Sequence, residues 1–371
     1  MSRTARRRCA AVTAVAALVV MLAPATPAPA MPAPATPAPA MPAEVASHTP
    51  RRGAAEVVVR PAASARLPEA LRTSCPRCPE PTPCEGCWQP GLDERWQYQL
   101  QAKPGLADDT GGIVVDICEP PAAGGPCVTP TVFDIDLYVD QEVSGDGNFV
   151  VNTAAVDAIH AAGGHAICYV DAGDAETYRP DYDRFVEFDE ACDGCLIGNP
   201  FSQVFPDEFF LNINNDQGQR TFILRVNEER LQKCADAGFD AVEWDIIDTF
   251  EDPHSGFNIS ARSQLMFNTR LANLAHRYGL SVAMKNDPSQ VAELLPYFDF
   301  AVVEECFEWN YCAGNPEPGE VAFVEAGKAV FEVEYRLTRA EFCDRAAELG
   351  ISSIKKARNY SLFAKPYHPC R

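Results

Sequence analysis

The sequence predicts an α/β chain folded as a (β/α)8 TIM barrel, and three observations carry that reading. From Trp88 to the C-terminus, about 280 residues run without a second linker, enough for one large domain. Eight short apolar runs in that stretch alternate with helical patterns. The runner-up, a doubly wound open sheet, requires a glycine-rich phosphate loop after its first strand, and none follows here.

The strand runs are residues 96–100, 132–138, 165–170, 241–246, 281–285, 298–304, 329–334 and 352–356. Between them, Thr153 opens a helix whose Val156 and Ile159 share a face before Gly163-Gly164. Residues 228–237 place Leu231, Cys234 and Ala235 at helical spacing. Ser260 can cap the stretch holding Leu271, Leu274, Ala275 and Tyr278, and Ser289 opens a short helix with Val291, Leu294 and Leu295. Thr338-x-x-Glu341 is a capping box, with Gly350 as terminator.

The chain ahead of the barrel reads differently. Arg3, Arg6, Arg7 and Arg8 precede an apolar run over residues 10–22 and a small-residue site at Ala28-Pro29-Ala30, the layout of an export signal over 1–30. An uncleaved anchor is the alternative, although the run is short for a span of about 20 residues. Residues 23–32 then repeat literally at 33–42. Alternating Ala and Pro cannot form helix or sheet, so residues 31–87 are expected to be a linker, Pro/Ala-rich at first and cysteine-rich at its end. The barrel domain is assigned to 88–371.

Of the 15 cysteines, only Cys9 lies in the signal, leaving an even number in an exported chain. Disulfides are therefore expected. Close spacing suggests Cys118 with Cys127 and Cys306 with Cys312, and Cys343 could tie to Cys370 and pin the C-terminus. Cys75-x-x-Cys78 and Cys84-x-x-Cys87 pose a choice between disulfides and zinc. The five residues between the pairs are few beside the about 15–20 of zinc ribbons, which favours disulfides.

Acids outnumber bases 52 to 31, a net charge of −21, and removing the four signal arginines makes it −25. That excludes a polyanion partner such as nucleic acid and suits a cationic polymer; solubility alone is the plainer explanation. No later segment is long and apolar enough to span a bilayer, and a monomer is expected.

Barrel enzymes carry their chemistry at the C-terminal ends of the strands. Those ends hold Gln97 and Gln99, Asp134 and Asp136, Tyr169 and Asp171, Glu243 and Asp245, Lys285 and Asn286, Glu304 and Glu305, Glu334 and Tyr335, and Lys356. Acids, amides and tyrosines converging on one rim suit a hydroxyl-rich sugar, with Trp96, Trp244, Trp309 and Tyr311 as possible stacking faces. Glycoside hydrolysis needs two carboxyl groups flanking the scissile bond. Asp245 and Glu304, from different strands, meet that need better than Glu243 and Asp245, which share a strand face. Gln99, Asp136, Tyr169, Asp171, Glu243, Asp248, Lys285, Asn286, Glu334 and Tyr335 are the candidate substrate-binding residues. No H-E-x-x-H or other metal motif and no G-x-S-x-G elbow occurs, so neither a metal nor a cofactor is expected. His160, His165 and His276 are read as structural. A Schiff base on Lys285 is disfavoured, because surrounding acids hold the ammonium charged.

Six segments in order resemble glycoside hydrolase family 114, the endo-α-1,4-polygalactosaminidases. They are Trp96-Gln97-Tyr98-Gln99-Leu100, the run from Tyr169 to Glu176, the run from Gly238 to Asp245, Lys285-Asn286, the run from Phe298 to Cys306, and Glu332-Val333-Glu334-Tyr335. The resemblance covers residues 92–371. It implies a secreted, extracellular barrel enzyme that cuts α-1,4-linked galactosamine-rich polysaccharide, with Asp245 and Glu304 as the catalytic pair. Around them this chain reads Glu-Trp-Asp-Ile where the family commonly has Pro and Asn, and Val-Glu-Glu-Cys where it has Asn and Gln. The alternatives are a non-catalytic carbohydrate-binding barrel, for which keeping both acids would be unnecessary, and a glycosidase acting on another α-glycan.

Overall fold

A computed structural model describes residues 75–371, apart from 103–104, 106–107, 141–148 and 315–317. The export signal, the Ala-Pro repeat and the linker up to residue 74 lie outside the described residues.

Eight parallel strands follow one another around a curved sheet: β1 (Trp96–Tyr98), β2 (Val132–Asp136), β3 (His165–Asp171), then Ala241–Asp245, Ser281–Lys285, Phe300–Glu304, Val330–Glu334 and Ser352–Lys355. These are the eight runs read from the sequence. Between β3 and the Ala241 strand the chain makes a second, three-stranded antiparallel sheet that the sequence did not announce: β4 (Asp174–Glu176), β5 (Ile197–Pro200) and β6 (Glu208–Leu211). The later barrel strands are therefore β7 to β11 in the order given, and β12 (His368–Pro369) runs antiparallel to β11.

The ladder is continuous from β1 to β11, and other groups bridge the seam between those two. Ser352 Oγ donates to Glu94 O at 2.8 Å, Gln97 Nε2 to Ala364 O at 2.9 Å, and Leu362 N to Gln101 Oε1 at 2.9 Å. The last ten residues thus close the barrel.

Helices cover the outside. Ser260 Oγ accepts from Ser263 N at the start of Ala261–Arg277, and Glu341 accepts from Thr338 N to complete the capping box of Arg339–Leu349. Gly350 stops that helix at φ 76°, a left-handed turn that costs glycine little. His276 pairs with Asp299, and His160 and His165 with Asp240, at the N-terminal ends of the strands, so all three are structural.

All fourteen cysteines of the described residues are paired. The three pairs suggested from the sequence form, Cys75–Cys78 and Cys84–Cys87 form disulfides, and Cys168–Cys234 and Cys192–Cys195 complete the set. No helix among the described residues is long and apolar enough to cross a membrane.

Candidate active site

Inside the barrel, side chains change character from floor to rim. The lower layer is aromatic: Trp96 stacks on Phe331 (centroids 5.6 Å apart), Phe331 meets Phe300 edge-on, and Trp88 closes the bottom against Phe300 and His165. Alternation along each strand then raises Tyr98, Glu243 and Lys285 into the layer above. Lys285 and Glu243 are 1% and 0% exposed, beneath the cleft rather than in it.

The Lys285 ammonium organises the rim. Its Nζ lies 3.1 Å from Glu243 Oε1, 3.1 Å from Asp245 Oδ1 and 3.3 Å from Glu304 Oε2. Burial opposes that charge, but Asp245, Glu243 and Glu304 outweigh it and hold the ammonium well above its ordinary range. Such a lysine is unsuited to Schiff-base chemistry.

Asp245 is held from three directions. Lys285 and Ile246 N reach Oδ1, the latter at 2.8 Å, and Tyr169 Oη donates to Oδ2 at 2.8 Å. Glu304 is the freer of the two, 28% exposed against 14% for Asp245. Tyr335 Oη donates to its Oε1, and Asn286 Oδ1 accepts from its backbone N–H at 3.0 Å.

Above these groups opens a cleft of about 1050 Å³. Among the sequence candidates, Asp136, Tyr169, Asp171, Asp245, Asp248, Asn286, Glu304 and Tyr335 line it. Two others point elsewhere. Gln99 is buried and serves the following loop, donating to Gly112 O and accepting from Val114 N. Glu334 faces outward and accepts the N–H groups of Phe307 and Glu308, so it shapes the loop after β9. The expected stacking faces are also different. Trp96 and Trp244 are fully buried, Trp309 is 61% exposed outside the cleft lining, and Tyr311 packs beneath Glu304 and Asn286. Tyr138, Tyr178, Phe201, Phe205 and Tyr360 line the cleft instead.

The sequence reading also missed a cation. Arg179 forks onto Asp136 at 2.7 and 2.6 Å and reaches Glu176 at 2.6 Å. The available hint was its place just after the Asp171–Glu176 acids. Elsewhere the wall is acidic and partly dry. Burial, with Asp245 and Glu251 alongside, pushes the Asp248 carboxyl up to about 7, and burial with Glu176 nearby pushes Glu208 up to about 8.

The family model for glycoside-hydrolase family GH114 matches residues 80–366. The chain belongs to glycoside hydrolase family GH114. Its fold is shared with Ega3 of Aspergillus fumigatus, a structure in complex with galactosamine. That match has 24% identity and a TM-score of 0.58, over 76% of this chain and 98% of Ega3. The glycoside hydrolase domain of PelA from Pseudomonas aeruginosa matches at 11% identity and a TM-score of 0.46, over 74% of this chain and 97% of that domain. Curated proteins give no match to the sequence. As a GH114 member with a TIM barrel, the chain is a glycoside hydrolase.

Proposed function

We propose that this GH114 enzyme is exported as a 31–371 chain with its barrel domain over 88–371. It cleaves α-1,4-linked, galactosamine-rich polysaccharide internally, by a retaining mechanism on Asp245 and Glu304. One observation carries the catalytic assignment: a single ammonium contacts both carboxylates across the floor of the cleft. Since Lys285 Nζ is 3.1 Å from Asp245 Oδ1 and 3.3 Å from Glu304 Oε2, those oxygens are at most about 6.4 Å apart. Retaining pairs stand about 5–5.5 Å apart, a separation this bound admits, and the mechanism is read as retaining on that footing.

In this reading Asp245, clamped by three donors, attacks the anomeric carbon. Glu304 gives its proton to the departing glycosidic oxygen as that C–O bond breaks, leaving a glycosyl ester on Asp245. Glu304 then takes a proton from water, the water oxygen attacks the same carbon, and the Asp245 carboxylate leaves. Asp136, Asp171 and Asp248 give the cleft a negative wall, to which a deacetylated, cationic glycan is drawn.

The test is incubation of the purified protein with galactosamine-rich and neutral α-glycans, with mass spectrometry of the fragments. Asp245→Asn and Glu304→Gln keep shape and should each abolish cleavage while preserving fold and binding. Near-parental turnover by Asp245→Asn refutes the catalytic assignment. Cleavage confined to neutral glycans refutes the substrate.

A further inference from the structure

The wall of the cleft nearest the small sheet holds an acidic cluster that takes no part in the bond-making and bond-breaking steps. Strand β3 ends at Asp171, the chain turns through Ala172-Gly173, and Asp174 opens β4, which pairs with β6 beginning at Glu208. Carboxylate oxygens of Asp171, Asp174 and Glu208 all lie within 4.8 Å of one another. Asp174 has no exposed surface, and neither of its oxygens has a hydrogen-bond partner. A buried carboxyl group left without a partner is costly, and native structures usually give one a hydrogen-bond partner, an ordered water or an ion.

Among the described residues, no side chain donates a hydrogen bond to Asp174. Arg179 is committed to Asp136 and Glu176, and Arg230 to Asp181 and the Asp171 carbonyl. Asp171 in turn uses Oδ1 to accept from the N–H groups of Gly173 and Asp174. Burial first, then the neighbouring Asp171 and Glu208, push the Asp174 carboxyl well up.

The geometry points to a site for one hard divalent cation, calcium in the first instance, with Asp171, Asp174 and Glu208 as its carboxylate ligands. Oxygens at most 4.8 Å apart fit around an ion with bonds of about 2.3–2.6 Å, the calcium range. The donors are all oxygen, which selects calcium, magnesium or manganese over zinc or copper. A sugar ammonium does not suit the site, because Asp174 has no exposed surface and is not part of the cleft lining. Bound there, the ion would tie the β3–β4 turn to β6. It would also fix the charge next to Asp245, which pairs with Asp171 across the β3–β7 register.

The site does not depend on which glycan is cut, and its test reads binding rather than turnover. The whole chain, stripped with a chelator, is titrated with calcium by calorimetry and thermal unfolding, with magnesium and manganese in parallel. Saturable binding of one calcium is expected, with the midpoint rising by roughly 5 °C at a hundredfold excess over Kd. Asp174→Asn should abolish the response yet leave the chelated protein at least as stable as the parent, since it removes a buried carboxyl. Should that variant not fold, Glu208→Gln, on the cleft wall, should weaken binding at least tenfold. No saturable binding of any of the three ions, or unchanged binding in the variants, overturns the site and leaves the glycosidase reading as it was.

Discussion

Replacing Lys285 by methionine leaves an unbranched side chain one atom shorter and removes the charge on which the rim depends. Three carboxylates lie within 3.3 Å of its Nζ. At an effective dielectric of about 20, each such pair is worth about 5 kcal/mol before desolvation is subtracted. The net loss is smaller, because removing one partner of a buried ion pair typically costs about 3–5 kcal/mol. A second route to the same number is proton uptake. Neutralising one carboxyl of ordinary value about 4.3 at pH 7 costs about 1.4 kcal/mol per unit, or about 4 kcal/mol. The variant should therefore be about 3–5 kcal/mol less stable than the parent at neutral pH.

The pH dependence separates this mechanism from simple loss of packing. Burial already raises the Glu243 carboxyl in the parent and Lys285 opposes that rise, so without the lysine Glu243 is pushed further up in the folded chain. The folded variant then holds an extra proton above the unfolded value, so its deficit shrinks as pH falls. Urea unfolding at about pH 7 and about pH 5 should show the deficit falling to about 1 kcal/mol at the lower pH. Turnover should drop at least about a hundredfold, since Asp245 loses one of its three donors and its neighbouring positive charge. A deficit that is the same at both pH values, or below about 1 kcal/mol at neutral pH, would refute the reasoning.

Three further outcomes follow from the same structure. Breaking Cys168–Cys234, which closes a separation of 66 residues, should cost about 4 kcal/mol, against about 1.6 kcal/mol for Cys192–Cys195 with a separation of 3; equal losses in denaturant titrations would contradict that ranking. In chelator, stability should fall as pH rises from about 4 towards 7 and 8. Asp248 and Glu208 are protonated in the folded chain up to about 7 and about 8, well above their unfolded values, and each contributes up to about 1.4 kcal/mol per pH unit across that window. Stability that is flat or rising over that range would argue against dry carboxyl groups on the cleft wall. Gly173→Ala would set a Cβ 1.8 Å from Ile246 O, so it should destabilise by about 1–3 kcal/mol and depress turnover through Asp245, whose Oδ1 takes the Ile246 N–H; wild-type kinetics would refute that coupling.

The barrel was legible because its strands are short apolar runs between well-marked helices, and all eight appear where the pattern places them. The small sheet was not. Its β5 is Ile-Gly-Asn-Pro, which has no strand periodicity, and the helix Tyr182–Ala191 buries only Phe185. Cys168–Cys234 joins residues far apart in sequence, which spacing cannot foresee. For the site, the hard question was which way each strand faces. Parallel strands covered on both sides are buried on both faces, so period-two alternation does not reveal the inner one. Gln99 and Glu334 were therefore indistinguishable from their neighbours Tyr98 and Tyr335, which do face the cleft.

Alternation also leaves unsaid how the two catalytic candidates come within reach of one ammonium. Strands β7, β8 and β9 end on Asp245, Lys285 and Glu304, and the next residue is in each case left-handed: Ile246 at φ 54°, Asn286 at 48° and Glu305 at 54°. None is glycine, and a β-branched isoleucine there is strained, a cost of order 1–3 kcal/mol that surrounding structure must over-determine. The turns repay it locally. At Ile246 the turn points the backbone N–H at Asp245 Oδ1, and at Asn286 it places the side-chain oxygen on Glu304 N. Gly173 lets the β3 turn close over the Ile246 carbonyl, where any side chain would collide. Three adjacent strand ends are thus bent the same way, each bend adjoining one member of the Asp245–Lys285–Glu304 set. Strain repeated in that register is what a site needs if its carboxylates are to be held in place before substrate arrives.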